Sequence, residues 1–150
     1  MAICGTFRNM SDALFAAYRN TSFFADTSRG RLCLRVGRAS PELDALLAAC
    51  GVPTWAYVTG FNPGSLPLSP EENEQRHQRL AREVERRGYT AFPGEGIGDD
   101  GQWPPERSLL ILGIVRDDAR RLGREFGQLA VVYGEEGGPA MLLPCDLLSD

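Results

Sequence analysis

A short run of large apolar residues, Leu109–Leu112, places the strongest single constraint on how this chain folds. The run shows no alternation of polar and apolar side chains, which is typical of a strand whose two faces are both covered. Such a strand lies inside a sheet and needs a packing layer on each side. The sequence therefore predicts a sheet in which this run is a central strand.

Periodicity and end signals predict the remaining elements. Ser40 and Ser69 are placed to cap helices, each is followed by proline at the first helical position, and Gly51 is placed to end a helix. Helices are predicted at Ser11–Tyr18, Pro41–Cys50, Pro70–Arg87 and Arg116–Phe126. Strands are predicted at Thr21–Ala25, Arg31–Val36, Trp55–Phe61, Tyr89–Pro93, Leu109–Leu112, Leu129–Tyr133 and Ala140–Leu143. The segment Gly94–Glu106 is predicted to be a long loop because it is rich in glycine and proline.

From Trp55 onward the predicted order is β-α-β-β-α-β, which is the split β-α-β pattern of ferredoxin-like folds. We predict an α+β protein with a mixed sheet, a ferredoxin-like core over about residues 55–134, and an N-terminal α-β-β-α unit that extends or covers the sheet. The 150 residues match the size of one domain, and no linker rich in Pro, Gly and Ser divides them. A single domain over residues 1–150 is expected, with residues 1–9 as a candidate disordered segment.

The basic residues exclude several functions. All 16 of them are arginine, and the chain has no lysine. A Walker-type phosphate loop, a Schiff base and covalent attachment of biotin or lipoate each require a lysine, so none of these is expected and no cofactor is assigned. The 20 acidic residues give a net charge of −4 without a concentrated basic face. Nucleic acid is therefore not an expected partner.

Histidine and cysteine usage narrows the chemistry further. The only histidine is His77, so one chain cannot form a site with several histidine ligands. The four cysteines lack C-x-x-C spacing, and Cys33 and Cys50, which lie in apolar segments, are expected to be buried, reduced thiols. Reduced thiols indicate a cytoplasmic protein. No segment is apolar over the length that a membrane span requires, so no membrane partner is expected.

Polar side chains concentrate at the ends of predicted elements between Trp55 and Glu106, where binding sites are usually built. On the helix that follows Pro70, helical spacing places Asn73 and His77 on the stripe that faces the sheet. We predict a polar cleft for a small molecule or an anion. Its predicted ligand-binding residues are Asn62, Ser65, Asn73, Arg76, His77, Glu95, Trp103 and Glu106.

Several alternatives for these residues stay open. Arg76 is the candidate anion clamp, although Glu72 at i−4 could simply pair with it. Asn73 and His77 could contact a ligand or could belong to an internal network that fixes the turn. Ser65 with His77 as its base lacks the G-x-S-x-G elbow of a hydrolase, so no catalytic residue is assigned.

Four carboxylates in or beside the acidic loop offer a different chemistry: Glu95, Asp99, Asp100 and Glu106. Carboxylate oxygens are ligands that a hard divalent cation prefers. The loop has no D-x-D-x-D-G pattern, however, and acidic surface loops are common without a metal. A cation site and a metal-free loop both remain open, and no metal ligand is assigned.

Two motifs are similar to those of a known family. The Asn-Pro-x-Ser motif at residues 62–65 and the Trp-Pro-x-Glu motif at residues 103–106, followed by a β-α-β unit ending in FGQLAVVYG, resemble a bacterial family catalogued as domain of unknown function 3293. The resemblance covers roughly Tyr18 to Leu143. It implies one compact domain of bacterial origin and supplies no activity.

Two functions from different classes follow from these patterns. In the first, the chain is a small cytosolic protein with a polar cleft that binds a small molecule or an anion. In the second, it is a non-enzymatic interaction module, for example a homodimer, whose polar loops only brace the fold. The sequence does not say whether the protein is an enzyme.

Overall fold

The computed structural model describes residues 7–146, with side chains from residue 12 onward. This part of the chain forms four α-helices: α1 (Phe7–Arg19), α2 (Pro41–Cys50), α3 (Pro70–Arg86) and α4 (Arg116–Glu125). It also forms seven strands: β1 (Thr21–Thr27), β2 (Gly30–Leu34), β3 (Thr54–Thr59), β4 (Thr90–Gly98), β5 (Glu106–Leu112), β6 (Ala130–Glu135) and β7 (Met141–Pro144). The chain is an α+β protein. Of the candidate disordered segment, residues 7–9 belong to α1, and residues 1–6 lie outside the described residues.

All seven strands belong to one sheet in the order β2-β1-β4-β5-β3-β6-β7. Each of the six neighbouring pairs is antiparallel, so the expectation of a mixed sheet is corrected. β3 and β4 flank α3 in the chain and both run antiparallel to β5, which lies between them. The two strands that point the same way are therefore not paired with each other, and a single parallel bridge, Val36 to Ala140, lies outside the strands.

The sheet separates two hydrophobic clusters. The first core cluster joins α2 to one face and contains Phe23, Ala25, Leu32, Leu34, Val36, Leu43, Leu46, Leu47, Trp55, Tyr57, Leu110, Leu112, Val132 and Ala140. The second core cluster joins α3 and α4 to the other face and contains Ala56, Val58, Leu80, Val84, Leu109, Ile111, Ile114, Ala119, Leu122, Phe126, Val131, Tyr133, Leu143 and Cys145. The residues of Leu109–Leu112 alternate between the two clusters, which confirms the predicted central strand.

The sheet curls toward the first core cluster, so that its two edges approach one another. The backbone N–H of Gly37, just after β2, donates to the carbonyl of Ala140 at 2.8 Å, and the N–H of Ala140 donates to the carbonyl of Arg38 at 3.0 Å. Val36 and Ala140 both belong to the first core cluster. This curl makes the α2 face concave.

β4 continues through Gly98, which corrects the prediction that a loop begins at Gly94. Its second half pairs with β1, and Gly94 lies opposite Ala25. A Cβ atom on Gly94 would approach the carbonyl oxygen of Phe24 to 2.0 Å and the hydroxyl of Tyr57 to 2.8 Å. Glycine is needed here because the backbone of β1 passes so close, and this tertiary pairing outweighs the local preference for a loop.

The end signals of α2 and α3 are confirmed, whereas α1 begins at Phe7, so the helix start predicted at Ser11 is wrong. The Ser40 hydroxyl accepts from the N–H of Leu43, Gly51 ends α2 in the left-handed conformation at φ 72°, and Ser69 forms a capping box with Glu72. The predicted burial of two cysteines is wrong, because Cys33 and Cys50 are exposed, although both are free thiols. Strand alternation directs Leu32 and Leu34 into the core, which leaves Cys33 on the outer face.

Candidate functional site

A cleft of about 450 Å³ lies between α1 and the concave face of the sheet. Phe23, Tyr57 and Val132 of the first core cluster contribute to its walls. The full lining is Leu14, Ala17, Tyr18, Asn20, Thr21, Phe23, Tyr57, Thr59, Phe61, Asn62, Ser65, Gly96, Gly98, Asp100, Trp103, Glu106, Ser108, Gln128, Ala130 and Val132. Four of the eight residues predicted from the sequence are in it: Asn62, Ser65, Trp103 and Glu106.

Glu106 brings three of those four residues together. Its Oε2 accepts a hydrogen bond from Asn62 Nδ2 at 2.7 Å and another from Trp103 Nε1 at 2.8 Å. Both donors come from loops, and Glu106 is the first residue of β5. Among the described residues no hydrogen bond is made to the other carboxylate oxygen, Oε1. The carboxylate is thus fixed in orientation through one oxygen, while the other stays open.

The turn after β3 has an unusual backbone that orients Asn62. Asn62, Gly64 and Ser65 all have positive φ values, at 48°, 64° and 63°. Asparagine tolerates the left-handed region better than most residues, whereas serine is uncommon there. The turn is attached to the end of α4, because the N–H of Gly64 donates to the carbonyl of Gly127 at 2.7 Å.

Asn73 supports the cleft without lining it. Its Oδ1 accepts from the backbone N–H of Asn62 at 2.8 Å, and its Nδ2 donates to the Asn62 side-chain oxygen at 2.8 Å. Both residues are buried. Of the two roles left open for Asn73, these bonds are those of the internal network that fixes the turn.

Arg76 also lies outside the cleft lining. Its Nε donates to the carbonyl of Gly60 at 2.6 Å, and its terminal nitrogen donates to the carbonyl of Phe126. Burial lowers the pKa of the guanidinium. The alternative, a pairing with Glu72, is not formed either, and the Glu72 carboxylate accepts from the N–H of Ser69 in the capping box. Arg76 ties the end of β3 to the end of α4, which is a different role from that of an anion clamp.

His77 is buried behind the cleft, only 3% exposed, with its ring edge-on to Phe61 at 6.5 Å between centroids. Its Nδ1 is buried without a hydrogen-bond partner among the described residues. Burial lowers the pKa of the imidazole, and the nearby Arg107 guanidinium lowers it further. No hydrogen bond joins His77 to Ser65, so the geometry of a hydrolytic pair is absent from the described residues.

Glu95 faces away from the cleft. It lies on β4 between Gly94 and Gly96, and strand alternation directs it to the opposite face, where it pairs with Arg31 at 3.2 Å. Asp99 pairs with Arg35 at 2.7 Å, and the hydrogen bond from the Arg35 guanidinium lowers the pKa of the Asp99 carboxyl. Within residues 7–146 no group of three or more His, Cys, Asp or Glu side chains is arranged to hold a metal ion.

The sequence did not reveal several lining residues. The hydroxyl of Tyr18, on α1, donates to the carbonyl of Ala130 at 3.1 Å, and burial raises the pKa of the phenol, with a smaller contribution from Glu106. Gln128 lies just before β6, and its Nε2 donates to the carbonyls of Phe61 and Phe126. Helical spacing places Tyr18 on one side of its helix together with Leu14 and Phe15, but no local signal places Tyr18 or Gln128 in the cleft.

Comparisons with known proteins match part of the chain to a family of unknown function. No curated protein and no solved structure matches the chain. None of the helices between residues 7 and 146 has both the length and the apolar character of a membrane span. The model of a protein family of unknown function, DUF3293, matches residues 58–131, a shorter range than the resemblance covered. That range contains Asn62, Ser65, Trp103 and Glu106, and the match supports assignment of the chain to the DUF3293 family.

Proposed function

We propose that the protein binds a small organic molecule in the cleft, with Glu106 as the polar anchor. One observation carries the proposal: two side chains from different loops hold Oε2 of Glu106, whereas Oε1 accepts no bond from the described residues. An acceptor that is already oriented does not have to be ordered when a ligand binds, which favours affinity.

The walls of the cleft support the same proposal. Aromatic rings line it from α1, the sheet and both loops: Tyr18, Phe23, Tyr57, Phe61 and Trp103. A cavity of about 450 Å³ with mainly apolar walls and a few oriented polar groups is typical of small-molecule sites. The left-handed Asn62 and Ser65 add backbone strain at the polar end, and strain of this kind clusters at ligand sites.

Tryptophan fluorescence tests the proposal directly. The chain has two tryptophans: Trp103 lines the cleft and is 41% exposed, whereas Trp55 is 3% exposed in the first core cluster. A library of small polar aromatic compounds is titrated into the protein. We expect ligands that enter the cleft to shift the emission of Trp103 to shorter wavelength, because they remove water from its indole.

A glycine variant shows whether such a signal comes from the cleft. A side chain in Gly96→Val would start beside the Phe23 ring, 3.5 Å from its nearest carbon, and extend into the cavity. Gly138→Val is the control, since the nearest atom to its Cβ is 3.5 Å away in the β6–β7 turn. We expect the first variant to lose binding and the second to keep it. Equal binding by both would refute the proposed site.

The alternative function is an interaction module such as a homodimer, in which the polar turn only braces the fold. It predicts no ligand among the library compounds and a stable dimer by light scattering. A monomer that gives saturable fluorescence titrations would instead support the cleft. The choice thus rests on two independent measurements of the same protein.

We also propose a ferredoxin-like core and a cytoplasmic location for the protein. The order β4-β5-β3-β6, with α3 and α4 packed on one face, supports a ferredoxin-like core. Free thiols at Cys33, Cys50 and Cys145 support a reducing, cytoplasmic setting.

A further inference from the structure

We infer that the ligand of the cleft is an organic cation, specifically a primary or secondary ammonium group attached to an aromatic or aliphatic body. The inference rests on the proposed function and names its ligand class. It comes from the inventory of hydrogen-bond donors and acceptors in the cleft, and it replaces the anion that the sequence suggested.

Most side-chain donors of the lining are already bonded within the protein. The hydroxyl groups of five lining residues donate to backbone carbonyls: those of Tyr18, Thr21, Tyr57, Thr59 and Ser108. The Trp103 indole donates to Glu106, and the Gln128 amide nitrogen donates to two carbonyls. Donors that remain are the Asn20 amide, the Ser65 hydroxyl and the second amide hydrogen of Asn62.

The acceptors, in contrast, remain available. No described residue donates to Oε1 of Glu106 or to Oε1 of Gln128, and neither oxygen is a fully buried, unpartnered atom. A cleft whose donors are mostly used and whose acceptors are open complements a ligand rich in N–H groups. An ammonium group has only donors, so it fits this inventory better than a carboxylate or phosphate does.

The charges of the cleft agree with this assignment. Asp100 and Glu106 line the cleft, and neither carboxylate makes a salt bridge with a described residue. No arginine is among the lining residues. The nearby Arg76 is turned toward the carbonyls of Gly60 and Phe126. The described residues thus leave the negative charge in the cleft without a basic partner, and the aromatic walls add faces on which a cation is favoured.

Three probes with the same ring and different end groups test the inference: 2-phenylethylamine, 2-phenylethanol and phenylacetate. Each is titrated into the full chain at neutral pH, and Trp103 emission is followed. We expect the amine to bind roughly tenfold or more tightly than the alcohol, because a charge-assisted hydrogen bond to Glu106 replaces a neutral one. The carboxylate should bind most weakly.

Two carboxylate variants test whether Glu106 causes the preference for the amine. Glu106→Gln keeps the shape and the acceptor for Asn62 and Trp103 but removes the charge, so its preference for the amine over the alcohol should disappear. Glu95→Gln, on the opposite face of the sheet, should keep the preference. Equal binding of amine and alcohol by the unmodified protein would overturn the inference and leave the proposed function standing. If none of the probes binds, the inference also fails, and the library titration then decides the proposed function by itself.

Discussion

Asn62 connects the parts of the candidate site through all of its polar groups. Its backbone N–H and its side-chain oxygen bond to Asn73, its side-chain nitrogen donates to Glu106, and its side-chain oxygen also accepts from the N–H of Leu68 at 3.0 Å. Its carbonyl accepts from the N–H of Ser65. Because Asn62 is buried, each broken bond would leave a polar group without water to replace the partner. The position of Glu106 therefore depends on a network that begins in α3.

Asn73→Ala tests that dependence. The change removes both partners that Asn62 finds on α3 and leaves its backbone N–H buried without an acceptor. We expect the free energy of unfolding to fall by about 1–3 kcal/mol, the usual penalty for an unsatisfied buried group. Urea denaturation measures the change.

The matched control for Asn73→Ala is Gln78→Ala on the same helix. Gln78 is exposed and donates only to Glu74, at 2.8 Å. Its loss should change stability by no more than about 0.5 kcal/mol, as is usual for surface positions. If the two variants were equally stable, the bonds between Asn73 and Asn62 would contribute nothing to the fold.

His77 makes stability depend on pH in a specific direction. Burial lowers its pKa in the folded protein, so the unfolded chain binds a proton more readily near its ordinary pKa of about 6.5. The stability contributed by the neutral ring is therefore complete above that pH and is lost as the pH falls through it. Since His77 is the only histidine, its titration is the main side-chain event expected in this range.

His77→Gln should flatten this dependence. Unfolding curves at about pH 7.5 and about pH 5.5 bracket the ordinary histidine pKa. We expect the unmodified protein to lose more stability between the two pH values than the variant does, whatever their absolute stabilities. Identical losses would mean that His77 carries the same proton affinity in the folded and unfolded states.

Helical spacing identified which side chains of α3 face inward but not what they meet. Asn73, His77, Leu80 and Val84 are all buried, as the stripe predicts. However, α3 packs on the face of the second core cluster, whereas the cleft lies on the concave face. A periodicity carries no information about which face of a sheet a helix covers. For this reason the inward side chains of α3 support the turn rather than line the cleft.

At the scale of elements, the glycines of β4 caused the main error, because the strand was predicted to end at Pro93 and instead continues to Gly98. Gly94, Gly96 and Gly98 alternate along β4 and face the concave side, where they leave space for the Tyr57 hydroxyl and for the cleft. Locally, such a pattern is typical of a loop. Pairing on both sides turns the segment into a strand: Gly94–Gly96 pair with β5, and Gly94–Gly98 pair with β1, which is about 70 residues earlier in the chain. Local sequence cannot report a partner at that distance.

The ends of α2 and α3 were predicted well because capping is a local interaction, whereas α1 begins four residues before the predicted Ser11. The start of α4 was also predicted, but this helix has no side-chain cap. Its N-cap, Val115, makes no side-chain bond, although its backbone is already extended and its side chain is 52% exposed. Val115→Ser should raise the free energy of unfolding by about 0.5–1 kcal/mol, because serine can accept from an unpaired N–H of the first turn. Urea denaturation again provides the measurement.

Removing a cap from α3 gives a reference value for the stability that Val115→Ser should add at α4. Ser69→Ala removes a complete capping box and should lower stability by about 1 kcal/mol. A stabilised Val115→Ser together with a destabilised Ser69→Ala would confirm that both helix ends obey the same rule. A neutral Val115→Ser would show that solvent already satisfies the first turn of α4.

At the scale of the whole molecule, the curl of the sheet makes the N-terminal part essential. Eight of the 14 residues in the first core cluster precede Gly51, from Phe23 to Leu47. The same part supplies β1, which covers the edge of β4, and α1, which forms one wall of the cleft. The sequence predicted that this unit would extend or cover the sheet. It does both, but the contact of the two sheet edges depends on the accumulated twist of seven strands and could not be predicted.

Unfolding should consequently be one cooperative transition. Trp55 reports on the first core cluster and far-ultraviolet circular dichroism reports on all helices and strands, so their urea midpoints should coincide. A chain shortened to residues 52–150 should lack a cooperative transition, since its part of the first core cluster would be exposed and β4 would lose its pairing with β1. If the shortened chain instead unfolded with nearly the original midpoint, residues before 52 would be an addition to a core that is stable by itself. In that case α1, which forms one wall of the cleft, could separate from the core, and ligand binding would have to order α1 as well as fill the cavity.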